Sequence, residues 1–302
     1  MAVLQCFSLV SYNVWFGWDG RGQPYCAERM KGIVDCLLEH HKVDCPLLAC
    51  GFQEVVPEHI QTLQPLLQAA GFQFFCQPGN HYGCSLFVHQ ASAEILDHGW
   101  RNYSQTNMLR GFLYVRLRIK NSSSEILFTT THLESPTDRQ GSSNAQDRTQ
   151  QIRELEAFCN QQLCNHPHLQ LVVISGDLNW NEQNRDIPLL EMALKTPSWK
   201  DAWLETSHDN GSRKDYQPNP FRDETSQCRS DRTLVQAGGY TFDCQTNPFL
   251  DGTRQSRLDR ILVQSSSMFQ KVTPMIPIHR IMPSFVQLFY QIHLTNCLWK
   301  DP

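Results

Sequence analysis

The chain has 302 residues, of which 40% are hydrophobic and 19% charged, and its formal net charge is −4. That length suits one large α/β domain or two small ones, and the composition is that of an ordinary globular protein. The charge excludes a broadly basic nucleic-acid binder, so any groove for a polyanion has to be local and helped by a cation.

Taken in chain order, Phe7 to Asn13 reads as a buried strand ending in a polar residue, followed by a Gly-rich turn from Gly17 to Gly22. Met30, Ile33, Val34, Leu37 and Leu38 recur at the spacing of one helix face. Leu47 to Phe52 reads as a second buried strand, and Pro57 opens a helix that Pro65 is placed to kink. Short strands are expected at Phe72–Cys76, Ser85–His89, Leu113–Ile119 and Ile126–Thr131, then a helix at 144–160 with Ile152, Leu155 and Phe158 inward. Leu169 to Ile174 is a strongly apolar strand closed by Ser175-Gly176-Asp177, and Tyr240–Phe242 and Asp259–Val263 read as late strands. The stretch 206–236 is polar and aperiodic, a surface-loop insertion or a flap over substrate. With no repeat or linker, the alternation argues for one layered α/β domain over 1–302.

The 12 cysteines are scattered without a CxxC pair, which excludes zinc-ribbon spacing. The start, Met1-Ala2-Val3-Leu4, lacks the basic region of a secretory signal. Reduced thiols and a nuclear or cytoplasmic, non-secreted protein are therefore expected. No stretch is long and apolar enough to span a membrane.

Chemistry concentrates where strands end in polar residues that packing does not require: Asn13, Glu54, His132, Asp177 with Asn179, and Asp259. Ligands of open α/β sheets gather at such ends. Glu54 can hold Mg²⁺, which prefers oxygen ligands, or simply satisfy a helix start. His132 can donate to a phosphoryl oxygen or be structural. Asp177 and Asn179 face one way if the strand continues, or form an Asx turn. Asp259 lies between Arg257 and Arg260, and is either an ion pair or the orienter of a histidine.

Five motifs in order resemble the endonuclease/exonuclease/phosphatase superfamily. They are Ser11-Tyr12-Asn13-Val14, Phe52-Gln53-Glu54-Val55, Thr131-His132-Leu133-Glu134-Ser135, Ser175-Gly176-Asp177-Leu178-Asn179 and Arg257-Leu258-Asp259-Arg260. Within it, His132-Leu133-Glu134-Ser135, Tyr240-Thr241-Phe242-Asp243 and Met108-Leu109-Arg110 are similar to the 5′-tyrosyl-DNA phosphodiesterases. The resemblance implies a four-layer α/β sandwich, with two central mixed β-sheets flanked by helices. It implies Glu54 and Asn13 as ligands of Mg²⁺ (Mn²⁺ as the alternative) and Asp177 positioning the attacking water. His132 would stabilise transition-state charge, and Asp259 would orient the catalytic histidine. Asn13, Asn179, Arg110, Tyr240 and Phe242 would contact substrate. The implied reaction is hydrolysis of a 5′-phosphotyrosyl DNA end in repair, by a chain taken as monomeric. The alternatives are a lipid, inositol phosphate or RNA phosphodiesterase of the same superfamily, or an impaired binding protein.

The sequence departs from the pattern in three places. Asn181 stands where the tyrosyl-DNA branch often has arginine, and 206–236 is an insertion. After Pro283-Ser284 the expected Asp-His is absent: the chain reads Phe285-Val286-Gln287, opening an atypical tail, 285–302, of which 285–294 retains the character of a last strand.

Overall fold

The computed structural model describes residues 5–14, 26–41, 45–79, 82–137, 143–180, 199–201, 242–243, 255–256, 259–265, 271–275 and 289–294. Expectations for the turn at 17–22, the stretch 206–236, Asn181 and Tyr240 lie outside these residues. The strands are β1 (Gln5–Asn13), β2 (Leu47–Val55), β3 (Phe72–Cys76), β4 (Gly83–His89), β5 (Ala93–Asn102), β6 (Gly111–Ile119) and β7 (Glu125–His132). They continue with β8 (Leu169–Asp177), β9 (Lys200–Asp201), β10 (Phe242–Asp243), β11 (Gln255–Ser256), β12 (Asp259–Ser265), β13 (Lys271–Met275) and β14 (Phe289–Leu294). The helices are α1 (Cys26–His40), α2 (Pro57–Ala69) and α3 (Ala145–Asn165).

Two six-stranded sheets carry the fold, ordered β13-β14-β1-β2-β4-β3 and β5-β6-β7-β8-β12-β9, and β10 pairs with β11 apart from them. Both large sheets are mixed, because β1–β2 and β7–β8 run parallel among antiparallel neighbours. Three apolar clusters account for the layers. Phe7, Leu9, Leu86 and Val88 of the first sheet meet Val115, Leu117, Phe128, Leu171 and Val173 of the second. The alternate residues Val10 and Tyr12 pack with Met30, Ile33 and Leu37 of α1 and Leu63 and Leu67 of α2. Val172 and Ile174 pack with Ile152, Leu155 and Phe158 of α3. The central strands are buried on both faces, which is why they read as continuous apolar runs. The expected four-layer sandwich is what forms.

Each expected strand of the first 177 residues is present, with ends shifted by a few positions. Strand β5 is not among those expected, because its half-exposed, polar-rich sequence hides its alternation. Helix α2 runs through Pro65. Asp259 is corrected from strand exit to strand entry: it is the first residue of β12, which runs antiparallel to β8 and so brings its start to the others' ends. The reduced-thiol expectation fails at Cys45, which is disulfide-bonded, and holds at Cys36, Cys50, Cys76, Cys84, Cys159 and Cys164. Among the described residues no helix is long and apolar enough to cross a membrane.

Candidate active site

Parallel β1 and β2 deliver Asn13 and the Gln53-Glu54 pair to one end of the first sheet. Parallel β7 and β8 deliver His132 and Asp177, paired in register, to the same end of the second. Local backbone then aims each group. Glu54 sits at an irregularity in the β2–β4 register with φ 57°, a left-handed conformation uncommon for a residue with a side chain. Gly176 has φ 134°, and a Cβ there would lie 1.9 Å from the Thr131 carbonyl oxygen, so only glycine allows the two motifs to touch.

The carboxylates of Glu54 and Asp177 are joined by the Asn13 amide, whose Nδ2 donates to Glu54 Oε1 at 3.0 Å and to Asp177 Oδ2 at 2.8 Å. His132 Nε2 lies 3.7 Å from Asp177 Oδ2. Oxygen or nitrogen atoms of Glu54, His132 and Asp177 fall within 4.8 Å of one another. Burial is the main force pushing the Asp177 carboxyl up to about 6, with the Glu54 charge adding to it and the Asn179 N–H and Asn13 amide opposing. A buried carboxylate held beside a second one favours a nearby cation, and hard oxygen donors are what Mg²⁺ or Mn²⁺ takes. The residues therefore fit a divalent ion held by the Glu54 carboxylate, with Asp177 facing it across the Asn13 amide.

His132 is kept neutral by burial and by the Arg110 guanidinium. Arg110 Nη1 lies 3.0 Å from His132 Nδ1. A guanidinium only donates, so Nδ1 accepts and the ring proton is on Nε2, the atom facing the carboxylates. At 3.7 Å the Nε2–H makes no hydrogen bond to Asp177 and is available to a ligand. Arg110 also donates to Ser135 Oγ at 3.2 Å and lies 5.3 Å above the Tyr82 ring. Tyr82, Arg110 and His132 line a small pocket with Trp100, Met108 and Leu109.

Asn179 forms the Asx turn: its N–H donates to Asp177 Oδ1 at 2.8 Å. With φ 50° the extended backbone does not continue past Asp177, so alternation does not align the two side chains. The Asn179 amide instead donates to the Leu133 carbonyl at 2.9 Å and to Ser135 Oγ at 3.2 Å. Asp259 pairs through its backbone with Asp177, while the structure describes neither its side chain nor that of Phe242. Asn13, Glu54, Arg110, His132, Asp177 and Asn179 are thus gathered in one place.

Sequence reasoning missed three supporting residues. Gln53, fully buried, donates to Thr130 Oγ1 at 2.7 Å and Ser11 Oγ at 3.2 Å, stitching the two sheets beside the site. Glu134, also fully buried, accepts from three donors of the loop before Arg110. Both stand inside quoted motifs, which was the available signal. Tyr82 carried none.

The Endonuclease/Exonuclease/phosphatase family matches residues 10–280, ending before the departure at Pro283-Ser284. No curated protein matches the chain in sequence. Among solved structures it resembles D. rerio TDP2 complexed with single strand DNA product, at 19% identity and TM-score 0.66, covering 95% of this chain and 98% of that one. Truncated Caenorhabditis elegans TDP2 is similar at 19% identity and TM-score 0.66, covering 95% and 97%. A Bacteroides thetaiotaomicron mannosyl-6-phosphatase follows at 14% identity and TM-score 0.63, covering 95% and 99%. At these identities the likeness speaks for the fold. The family match spans most of the chain, and its motif residues converge on one cleft. The chain belongs to the Endonuclease/Exonuclease/phosphatase family, whose members are metal-dependent hydrolases acting on phosphodiester bonds.

Proposed function

We propose that the chain hydrolyses phosphodiesters at DNA ends with Mg²⁺, releasing tyrosine from a 5′-phosphotyrosyl adduct. The observation that carries this is the Asn13 amide tying the Glu54 and Asp177 carboxylates together beside the Nε2–H of His132. A bound divalent ion supplies Lewis-acid polarisation of a phosphoryl oxygen. Glu54 would hold it, with Asn13 fixing the carboxylate. Asp177 orients the attacking water and receives its proton, a role suited to a carboxyl pushed toward neutrality by burial. Nε2–H of His132 donates to the phosphoryl oxygen as negative charge grows there. Phenolate, from a phenol of pKa about 10, leaves more readily than a sugar alkoxide and yields a free 5′-phosphate.

Support for DNA comes from the tyrosyl-DNA motifs and from the likeness to TDP2, one structure of which holds single strand DNA product. Arg110 above Tyr82 offers a cation and an aromatic face beside the reacting centre, and Tyr240 and Phe242 are proposed to contact DNA. Asn179 would act through Ser135 and Asp177, with its phosphate contact made on binding. We assign 1–302 to one domain, working as a monomer in the nucleus or cytoplasm.

The test is tyrosine release from a 5′-tyrosyl oligonucleotide with Mg²⁺ and with EDTA. Inositol phosphates, lipid head groups and poly(A) serve as rival substrates. Cleavage of a rival alone refutes the DNA-end reading. A second reading, a binding protein with impaired turnover, is favoured by the absent Asp-His after Ser284. Saturable DNA binding with no hydrolysis of any phosphodiester would establish it.

A further inference from the structure

The loop between β5 and β6 ends at Arg110, the residue that fixes the tautomer of His132. The ends of the loop are tied by bonds of Ser104 to Glu154, of Gln151 to the Gln105 carbonyl and of Gln77 to the Leu109 carbonyl, while Asn107 and Leu109 are exposed, and Leu109, 77% exposed, has a left-handed φ of 56°. What holds 106–108 is a buried carboxylate from the other side. Glu134 Oε1 accepts from Thr106 Oγ1 at 2.7 Å, from the Asn107 N–H, and from the Met108 N–H at 3.0 Å. Thr106 Oγ1 in turn accepts from the Arg110 N–H at 2.7 Å. Glu134 itself is fixed by Gln151 and Arg148 of α3, which bond its backbone N–H and carbonyl at 3.0 and 3.1 Å. A fully buried carboxylate is costly unless its hydrogen bonds are made. Here one oxygen takes three of them, while Oε2 has no partner among the described residues. Packing alone would place an apolar residue there; a loop with three donors to be held in one arrangement needs an oxygen acceptor that takes all three.

We propose that Glu134 is a positioning residue: it clamps 106–108 so that Arg110 reaches His132 Nδ1 and keeps the His132 proton on Nε2, facing the reacting phosphate. This rests on the reading of His132 as donor to a phosphoryl oxygen. The chain of contacts is continuous, from α3 through Glu134, Thr106 and Arg110 to His132. Losing the clamp lets Arg110 withdraw, and Nδ1, left with the Tyr82 hydroxyl at 3.5 Å, which can accept as well as donate, becomes free to carry the proton.

The experiment reads the tautomer by ¹⁵N NMR of the histidine side chains in the metal-free protein, with His132 assigned from its loss in His132→Gln. It needs no turnover, so an inactive parent chain would overturn the proposed function without touching the clamp. In the parent, Nδ1 should be unprotonated and Nε2 protonated. Glu134→Ala and Thr106→Val should each move His132 to a mixture with Nδ1 protonated. Glu134→Gln, which keeps an acceptor at Oε1, should restore the parent pattern. Where turnover is measured, Glu134→Ala should lower kcat by roughly 10²-fold, the effect of a misplacement of about 1 Å, with KM little changed. Leu155→Ala, a core truncation in α3, controls for general destabilisation and should leave the His132 signal alone. Thr106→Val touches a half-buried loop residue and decides the matter if Glu134→Ala does not fold. The proposal is overturned if the truncations that fold keep the parent tautomer, or if Glu134→Gln loses as much as Glu134→Ala.

Discussion

The first sheet brings Asn13 and Glu54 to the cleft at the ends of β1 and β2, Glu54 in a left-handed turn with the Asn13 amide upon it. The second brings His132, Asp177 and Asn179 on a lattice of side-chain bonds through Arg110, Ser135, Glu134 and the Leu133 carbonyl. The contrast follows from the tasks proposed for them. A carboxylate that grips an ion tolerates small movements, because the ion's attraction recentres it. A donor aimed at charge developing on a phosphoryl oxygen does not, because its contribution depends on preorganisation. Substitutions in the first sheet should therefore act through metal affinity, and those in the second through turnover at unchanged binding.

The largest expected effect concerns what the first sheet lacks. Strand β14 pairs with β1, and its His293 stands opposite Cys6. Asn13 is seven residues further along β1, about 23 Å away at 3.3 Å per residue. His293 therefore cannot stand in for a histidine entering before the strand. We expect the chain to be a poor catalyst. Replacing the tail after Pro283 with Ser-Asp-His and a matching strand should raise hydrolysis of 5′-tyrosyl DNA by about 10²- to 10⁴-fold. Equal rates for the two chains would show that the cleft is complete without it.

Next comes Glu54→Gln. It should cut turnover by roughly 10³-fold, since Lewis-acid stabilisation is worth several kcal/mol. Mg²⁺ affinity measured by calorimetry should fall with it, and the melting temperature should hold. Equal affinity in mutant and parent would erase the division of labour between the sheets.

Asp177 sharpens the comparison through pH. Its folded pKa, raised to about 6, exceeds the ordinary 3.8. Between those values the folded state binds more protons than the unfolded one, so stability falls as pH rises through that window. The metal-free parent should lose on the order of 2–3 kcal/mol from pH 4 to pH 6.5 through this group, by denaturant melts. Asp177→Asn should remove that part of the slope, and should abolish turnover while DNA still binds. An unchanged slope would mean that Asp177 stays ionised with the cleft empty of metal.

The smallest effect tests the seam. Gln53→Leu strips a donor from the hydroxyls of Thr130 and Ser11. It should cost about 1–3 kcal/mol of stability, the penalty for buried groups left unpaired. A neutral melt would mean that the sheets register without the Gln53 bridge.

Much of this was legible in the sequence. Buried strands such as β2, β7 and β8 announce themselves by apolar runs, and strand-end polar residues stand out because nothing in packing asks for them. The six cleft residues Asn13, Glu54, Arg110, His132, Asp177 and Asn179 were all named from motifs. Less legible was anything decided by a partner far along the chain. Asn179 closes a turn because its backbone turns left-handed, and Tyr82 meets Arg110 only through the pairing of sheets. The polar face of α3, with Arg148 and Gln151 buried, looks like solvent-facing sequence until Glu134 is seen behind it. Cys45 reads as any other thiol in sequence.

Gly176 carries a genetic consequence. Every single-base missense change in a glycine codon introduces a residue with a Cβ, and here that atom would lie 1.9 Å from the Thr131 carbonyl oxygen, backbone that has no side-chain freedom to yield. The position offers no mild allele: serine and alanine should be as damaging as arginine. Saturation mutagenesis scored for folded protein should therefore show a flat column at 176, independent of side-chain size or charge. At Gly79, where a Cβ would meet nothing within 4 Å, the damage should be graded, set by backbone strain alone.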